Sequence, residues 1–101
     1  MSGFEDLPLH DAIVHRIALL WKERTIEFEI LAFAEHGKDA FPHRLQFIGV
    51  KNFNCPHHSP WGDSFQINEA TCKEGKFLIE MQSGDEIRVE AAGYSFVSAN
   101  S

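Results

Sequence analysis

Residues 76–92 read KFLIEMQSGDEIRVEAA, and this stretch decides the fold class of the chain. Apolar residues occupy every second position on both sides of a Ser-Gly-Asp break at residues 83–85. A period of two interrupted by glycine is typical of a β-hairpin with one buried and one solvated face. The even register of this hairpin places Glu80 opposite Arg88, whereas a bulge with Gly84 in the left-handed conformation would shift that pairing.

The chain upstream predicts a second hairpin. Ile26, Phe28 and Ile30 alternate with glutamates, as in a half-buried strand. Residues 12–21 also fit one face of a helix, but their Ile, Val and Trp content favours a strand. A hairpin about residues 22–24 would pair apolar residues on one face, although a wider four-residue loop is also compatible with this sequence. The expected pairs are Ile17 with Ile30, Leu19 with Phe28, and Trp21 with Ile26.

The remaining sequence predicts short strands separated by polar segments. Residues 44–50 form a third strand, in which Gly49 indicates a bulge or a close backbone contact. Residues 64–68 form a short fourth strand, and the hairpin at residues 76–92 supplies two more. Tyr94, Phe96 and Val97 form a last short strand or pack over an open end. The loops and turns are expected at residues 35–42, 51–63 and 69–75.

These elements predict an all-β fold of about six mostly antiparallel short strands in a meander, either a curled barrel or a sandwich. With 101 residues, 44% of them hydrophobic, the chain suffices for one domain spanning residues 1–101, with residues 1–10 as a flexible arm. The inward-facing positions predict a core, and its members are Ile17, Leu19, Ile26, Phe28, Ile30, Phe47, Phe65, Ile67, Phe77, Ile79, Met81, Ile87 and Val89.

Charge and hydropathy restrict the classes of partner. Acidic residues outnumber basic ones by 15 to 9, which gives a formal charge of −6. This balance disfavours nucleic acid and anionic lipid and suits a basic protein partner. The first residues lack the pattern of a secretory signal, and the longest apolar run, residues 17–21, is too short to span a bilayer. We therefore expect a cytoplasmic protein with reduced thiols, while pairing of Cys55 with Cys72 stays open.

One loop concentrates reactive side chains. Cys55, His57 and His58 are of the types that zinc prefers, with His43 upstream and Cys72 downstream. Their spacing is poor for a single ion, because adjacent histidines point in different directions. A Cys55–His57 nucleophilic pair would lack a helix N-terminus or basic neighbour to activate the thiol. We expect neither a metal nor a cofactor, and no enzymatic activity.

Two further motifs have structural interpretations. His10-Asp11 is similar to a hydrolytic dyad in sequence only, and Asp11 is better explained as a turn residue before the first strand. In Pro60-Trp61-Gly62-Asp63-Ser64, Trp61 either closes one end of the fold or serves as a partner-binding anchor. Because loops on a rigid sheet often carry function, we predict that residues 51–63 form a contact surface through Phe53, His57, His58 and Trp61.

Several short motifs along nearly the whole chain resemble a group of small, mostly uncharacterised bacterial all-β domains. Some members of that group are identified as predicted immunity proteins of polymorphic toxin systems. The resemblance implies a non-enzymatic inhibitor that binds a cognate toxin, and it transfers no functional residue. The motifs are Leu9-His10-Asp11-Ala12, the turn at residues 21–25, Pro60-Trp61-Gly62-Asp63-Ser64, Ile67-Asn68 and residues 79–85.

The sequence thus favours a small non-enzymatic binding protein, of the immunity type if the resemblance extends to function. One alternative is a small-ligand carrier, since a curled sheet with nine phenylalanines could enclose an apolar cavity. The other is a metal-dependent enzyme built around Cys55, His57 and His58.

Overall fold

The structure, a computed structural model, describes residues 4–32, 41–58 and 65–98. Its strands form two four-stranded antiparallel sheets with the orders β1-β2-β3-β8 and β4-β7-β6-β5. The all-β prediction is confirmed, and the two packed sheets make the fold sandwich-like. After a 3-10 turn at Phe4–Asp6, the strands are β1 (Ile13–Leu20), β2 (Thr25–Ala32), β3 (Phe41–Ile48), β4 (Asn52–Asn54), β5 (Ile67–Lys73), β6 (Lys76–Met81), β7 (Glu86–Glu90) and β8 (Gly93–Ser98).

The β6–β7 hairpin forms where the alternating pattern predicts it. Ile79 lies opposite Ile87, and both side chains are buried between the sheets. The predicted pairing of Glu80 with Arg88 is wrong, because Glu80 lies opposite Glu86. The backbone N–H of Met81 donates to the carbonyl of Asp85, and Gly84 takes a φ of 99° within this tight connection. The alternative register with a left-handed Gly84 is therefore correct.

The β1–β2 hairpin confirms a strand for residues 13–20, but its register differs from the predicted one. Leu19 lies opposite Ile26, and Ile17 opposite Phe28. A four-residue loop, residues 21–24, connects the strands, so Trp21 lies outside the ladder instead of pairing with Ile26. Placing Leu19 in the core was wrong, because its side chain is half exposed at the open end of the sheet.

The third strand begins earlier than predicted. β3 starts at Phe41 and includes Pro42, which lies opposite Leu31, so these residues do not belong to the predicted loop at 35–42. Residues 35–40 of that loop lie outside the described residues. β8 pairs only with the part of β3 from His43 onward. Proline lacks a backbone N–H, and at position 42 no hydrogen bond to β8 needs one.

Strand β4 and most of strand β5 occupy segments for which the sequence predicted irregular structure. β4 lies within the predicted loop at residues 51–63. β5 begins in the predicted strand at residues 64–68 and continues through most of the predicted turn at residues 69–75. β5 is an edge strand with mostly half-exposed side chains, so it lacks a clear apolar alternation. Phe65, predicted to be core, is exposed, whereas Ile67 is buried as predicted.

The chain passes between the two sheets twice, at one shared corner. There β3 continues into β4, and β7 continues into β8. The register of the paired strands shifts by one residue between the pair Ile48↔Gly93 and the pair Asn52↔Glu90. Gly49 takes a φ of 68°, and a Cβ there would lie 2.9 Å from that of Ala92. The corner is therefore a bulge that requires glycine at this position, as the sequence predicted.

The core lies between the sheets and includes the N-terminal segment. Phe4 and Leu9 are buried, although the sequence predicted a flexible arm for residues 1–10. The ring of Phe4 packs against Phe77 at 4.9 Å, Tyr94 at 5.2 Å and Phe47 at 5.9 Å between ring centroids. The sequence did not predict all of the apolar core, and the missed members are Phe4, Leu9, Ala12, Ala32, Leu45 and Ala91.

We predict that Ile79→Ala lowers the free energy of unfolding by about 2–5 kcal/mol, because it leaves a cavity between the sheets. The matched control is Leu78→Ala on the same strand, whose side chain faces outward and is half exposed. It should have an effect of about 1 kcal/mol or less. Chemical denaturation measures both, and similar losses for the two variants would contradict the assigned facing of the hairpin.

We also predict that Phe4→Ala destabilises the domain by about 3–5 kcal/mol, because the ring contacts aromatic residues of both sheets. Val97→Ala removes an exposed apolar side chain and should change stability little. A Phe4→Ala variant as stable as the Val97→Ala variant would show that the N-terminal segment is dispensable for folding.

Candidate functional site

The structure describes three of the four residues predicted to form a contact surface. Phe53 lies on β4, half buried and packed against the core. His57 and His58 follow β4 and are exposed. Trp61 and the rest of its motif lie outside the described residues. The described part of the predicted surface therefore comprises a strand residue and two residues of the segment that follows the strand.

A buried carboxylate holds that segment in place. Asp85 is 4% exposed, and its Oδ1 accepts the backbone N–H of His58 at 2.9 Å. Its Oδ2 accepts the hydroxyl of Ser83, which is also buried, at 3.2 Å. The β6–β7 turn therefore fixes the path of the chain after β4. We find a structural role for this cluster, since Asp85 bonds the backbone of His58 and the hydroxyl of Ser83 bonds Asp85.

The surroundings of Cys55 do not favour a nucleophile. Partial desolvation of the thiol raises its pKa, and the negative charge of Asp85 raises it further. The thiolate is the reactive form, so a raised pKa lowers the reactive fraction at neutral pH. Among the described residues, the surroundings of Cys55 therefore oppose formation of the thiolate.

The candidate zinc ligands are dispersed. His43 stacks on Phe96 with ring centroids 4.7 Å apart, and its Nδ1–H donates to the carbonyl of Phe41. Cys55 follows β4 and Cys72 lies on β5, at opposite edges of one sheet, about 14 Å apart across three strand spacings. This separation is too large for a disulfide, and both thiols are free. Within residues 4–32, 41–58 and 65–98, no three His, Cys, Asp or Glu side chains are placed to hold a metal ion.

His10 and Asp11 connect the two sheets. The Nδ1–H of His10 donates to the carbonyl of Asn68 at 2.7 Å. The backbone N–H of Asp11 donates to the carbonyl of Ile67 at 2.8 Å. Asp11 takes a φ of 66°, and its carboxylate accepts the side-chain amide of Gln82. These contacts agree with the structural interpretation of the motif.

A groove of about 390 Å³ lies beside this junction, along the edge of β5. Two of its polar side chains have partners within the fold, since Glu5 accepts the backbone N–H of Cys72 at 2.9 Å and His10 is bonded as described above. The N-terminal segment thus covers a sheet edge that would otherwise be open. We assign this groove to the architecture of the fold.

A larger groove of about 630 Å³ lies between the end of β1 and β4, and we call it the β1–β4 groove. Trp21 is 83% exposed and Leu19 is 51% exposed, so its apolar wall faces solvent. Two cations also line it. Its lining residues are Leu19, Trp21, Arg24, Val50, Lys51, Asn52 and Phe53.

Backbone hydrogen bonds fix the two walls of the β1–β4 groove relative to each other. The N–H of Val50, just after the corner, donates to the carbonyl of Arg24 in the β1–β2 loop at 2.8 Å. Within that loop, the N–H of Arg24 donates to the carbonyl of Trp21 at 3.2 Å. Lys51 is held by a bond from its N–H to the carbonyl of Glu90 at 2.7 Å. The groove is therefore built on ordered backbone.

Sequence reasoning assigned Phe53, which lines this groove, to the predicted contact surface at residues 51–63, but it did not predict an exposed Trp21. The two-residue hairpin about Glu23-Arg24 placed Trp21 opposite Ile26 on the buried face. The unfavourable turn chemistry of Glu23-Arg24 was the available signal, because a four-residue loop moves Trp21 out of the ladder. Arg24 itself takes a φ of 51° in that loop.

Comparisons with known proteins support the fold. The chain is similar to an uncharacterized protein from Neisseria gonorrhoeae of known crystal structure, with a TM-score of 0.56 and 16% identity. The match covers 86% of this chain and 90% of the other. At this identity the likeness concerns the fold alone. No protein-family model matches the chain, and no curated protein matches it. None of the described helical turns is long and apolar enough to cross a membrane.

We predict that Cys55 reacts with iodoacetamide more slowly than an exposed cysteine of ordinary pKa. The reason is that its raised pKa lowers the fraction of thiolate at neutral pH. The rate is measured as a function of pH in a Cys72→Ser background. The midpoint, which is the pH at which the rate is half its maximum, should lie above the ordinary pKa of a cysteine thiol. Asp85→Asn retains an oxygen acceptor for His58 but removes the charge, so the midpoint should fall.

Glu86→Gln is the matched control, because it removes a nearby carboxylate that does not shift the Cys55 pKa. Its midpoint should equal that of the parent protein. A parent midpoint below the ordinary thiol value would contradict the prediction and reopen a nucleophilic role for Cys55.

Proposed function

We propose that this chain is a non-enzymatic binding domain that recognises another protein through the β1–β4 groove. The observation that carries the proposal is the exposure of Trp21, 83% of whose side chain faces solvent beside Leu19 and Phe53. Tryptophan is enriched among the few residues that dominate binding at protein interfaces. A concentrated apolar surface of this kind is typical of an interaction site.

The preorganised walls of the groove also support a binding role. The Val50–Arg24 backbone bond ties the β1–β2 loop to the corner between the sheets, so Trp21 is presented on a loop with fixed ends. Preorganisation reduces the entropy that is lost when a partner binds. The loop therefore combines a large anchor side chain with an ordered scaffold.

The motif resemblance to predicted immunity proteins supports a more specific proposal, that the partner is a toxin which this domain inhibits. An inhibitor of this type acts by occupying a surface of the toxin, for which a rigid sandwich with an exposed anchor is suited. The net charge of −6 favours encounter with a basic protein. His57 and His58 remain a predicted secondary contact.

The carrier and enzyme alternatives receive less support. A carrier would hold its ligand between the sheets, where Phe4, Phe47 and Phe77 pack against one another with ring centroids 4.9–5.9 Å apart. The residues suggested for an enzyme, Cys55, His57 and His58, do not form a group that could hold a metal ion within the described residues. We therefore propose a single function.

The experiment is to co-express the chain with the product of a toxin-like gene beside its own and to measure growth of the bacterial host. We expect the parent chain to restore growth and Trp21→Ala to abolish the protection. Val97→Ala, which removes another exposed apolar side chain away from the groove, should protect like the parent. His57→Ala combined with His58→Ala tests the secondary contact.

Thermal melts should show that each variant is folded. Full protection by a folded Trp21→Ala variant would remove the groove as the binding site. Failure of the parent chain to protect, despite soluble expression, would contradict the proposed inhibition.

A further inference from the structure

The local charge of the β1–β4 groove is opposite to that of the whole chain. Arg24 and Lys51 line the groove, whereas the lining found among the described residues includes no acidic side chain. In the chain overall, acidic residues outnumber basic ones by 15 to 9. Lys22 and Glu23, the other two charges of the β1–β2 loop, offset each other. At short range the two cations determine which groups are favoured in the groove.

Each wall of the groove includes part of an edge strand. β1 pairs with β2 on one side, and among the described residues its other edge forms one β-bridge, between Ile13 and Gln66 at the end of the strand away from Leu19. β4 pairs with β7, and no described strand lies on its other side. An open strand edge can accept an added strand through main-chain hydrogen bonds, while neighbouring pockets select its side chains.

We infer that the β1–β4 groove takes an extended segment of a partner protein in which a large apolar side chain is flanked by carboxylates. The apolar side chain packs on Trp21 and Leu19, and the carboxylates pair with Arg24 and Lys51. Asn52, also in the lining, offers an amide for the backbone of the segment. This inference rests on the proposal that the groove binds protein, and it defines the chemistry of the bound segment.

The inference separates two roles of charge. The net negative charge acts at long range on the whole partner and favours a basic one, whereas the groove selects a local segment with carboxylates. A partner of overall positive charge can carry such a segment. Binding through the groove should weaken as salt rises, because Arg24 and Lys51 act at the solvent-exposed rim.

The experiment selects 12-residue random peptides displayed on phage against the folded chain, after depletion on the Trp21→Ala variant. We expect enriched peptides to combine Leu, Ile, Phe or Trp with adjacent Asp or Glu. A fluorescein-labelled synthetic copy of the most enriched peptide then reports affinity by fluorescence polarisation. Trp21→Ala and Arg24→Glu should each weaken binding at least tenfold, as should replacement of the peptide carboxylates by lysine.

Lys73→Glu is the matched control, because it makes the same kind of charge change on β5 at the opposite edge of the sheet. It should leave the affinity unchanged. The lysine-substituted peptide should bind the Lys51→Glu variant more tightly than it binds the parent protein. This compensation would locate the contact between the peptide and the cation at residue 51.

Four results would overturn the inference. The first is that the selection yields basic peptides or no peptide, and the second is that the peptide binds the parent protein and the Trp21→Ala variant with equal affinity. The third is that a single-stranded oligonucleotide of 12 thymidines displaces the labelled peptide more effectively than the unlabelled peptide does. The fourth is that the parent protein sediments as a dimer and the Trp21→Ala variant as a monomer. Selection of peptides without carboxylates, together with loss of protection by Trp21→Ala, would remove only this inference. Acidic peptides without any growth protection would instead remove the proposed inhibition.

Discussion

The corner at Gly49 and Ala92 is the constraint on which the two-sheet arrangement depends. Two neighbouring strands bend there together, so that β3 and β8 pair in one sheet and their continuations β4 and β7 pair in the other. The close approach of the chains leaves no room for a side chain at Gly49, whose φ of 68° also favours glycine. Because the same corner bonds to the β1–β2 loop through Val50, it also positions the exposed tryptophan.

Closure of the opposite side of the sandwich depends on the N-terminal segment. Backbone bonds from Asp11 and Ile67 connect the start of β1 to the start of β5, and the carboxylate of Glu5 bonds to the same edge at Cys72. Phe4 then enters between the sheets and contacts aromatic rings from both. One pair of sheet edges is thus covered by the chain itself, whereas the β1–β4 side remains open in the described structure. This difference distinguishes the groove along β5, which the N-terminal segment covers, from the β1–β4 groove, which is the proposed binding site.

Charge in this protein has different consequences at different distances. The net charge of a protein determines whether it attracts or repels a partner at distances where the positions of its individual charged residues matter little. Contact specificity instead depends on the few charges beside a binding surface, and those beside the proposed groove are Arg24 and Lys51. An expectation of a basic partner and a groove that suits carboxylates are therefore compatible, since they concern the whole molecule and one site respectively.

The sequence by itself determined the strands whose side chains alternate between core and solvent, because burial of one sheet face imposes a period of two. The β2 strand and the β6–β7 hairpin follow this rule, and their buried apolar residues were correctly predicted except for Ala32 at the end of β2. Gly49 was also predictable, since an isolated glycine in an apolar strand indicates close approach. Phe53 was predicted to lie in a loop, whereas it occupies the short strand β4.

Only the tertiary structure decided the features that arise where segments distant in sequence meet. β5 is mostly half exposed at a sheet edge, so its residues lack the pattern that marks a strand. Phe4 is buried because rings from both sheets surround it, which no local pattern records. Trp21 has the composition of a core residue, yet a four-residue loop carries it past the end of the ladder into solvent. Local alternation specifies which face of a strand is apolar, whereas the position where the strand ends and the neighbour that covers it depend on packing of the whole chain.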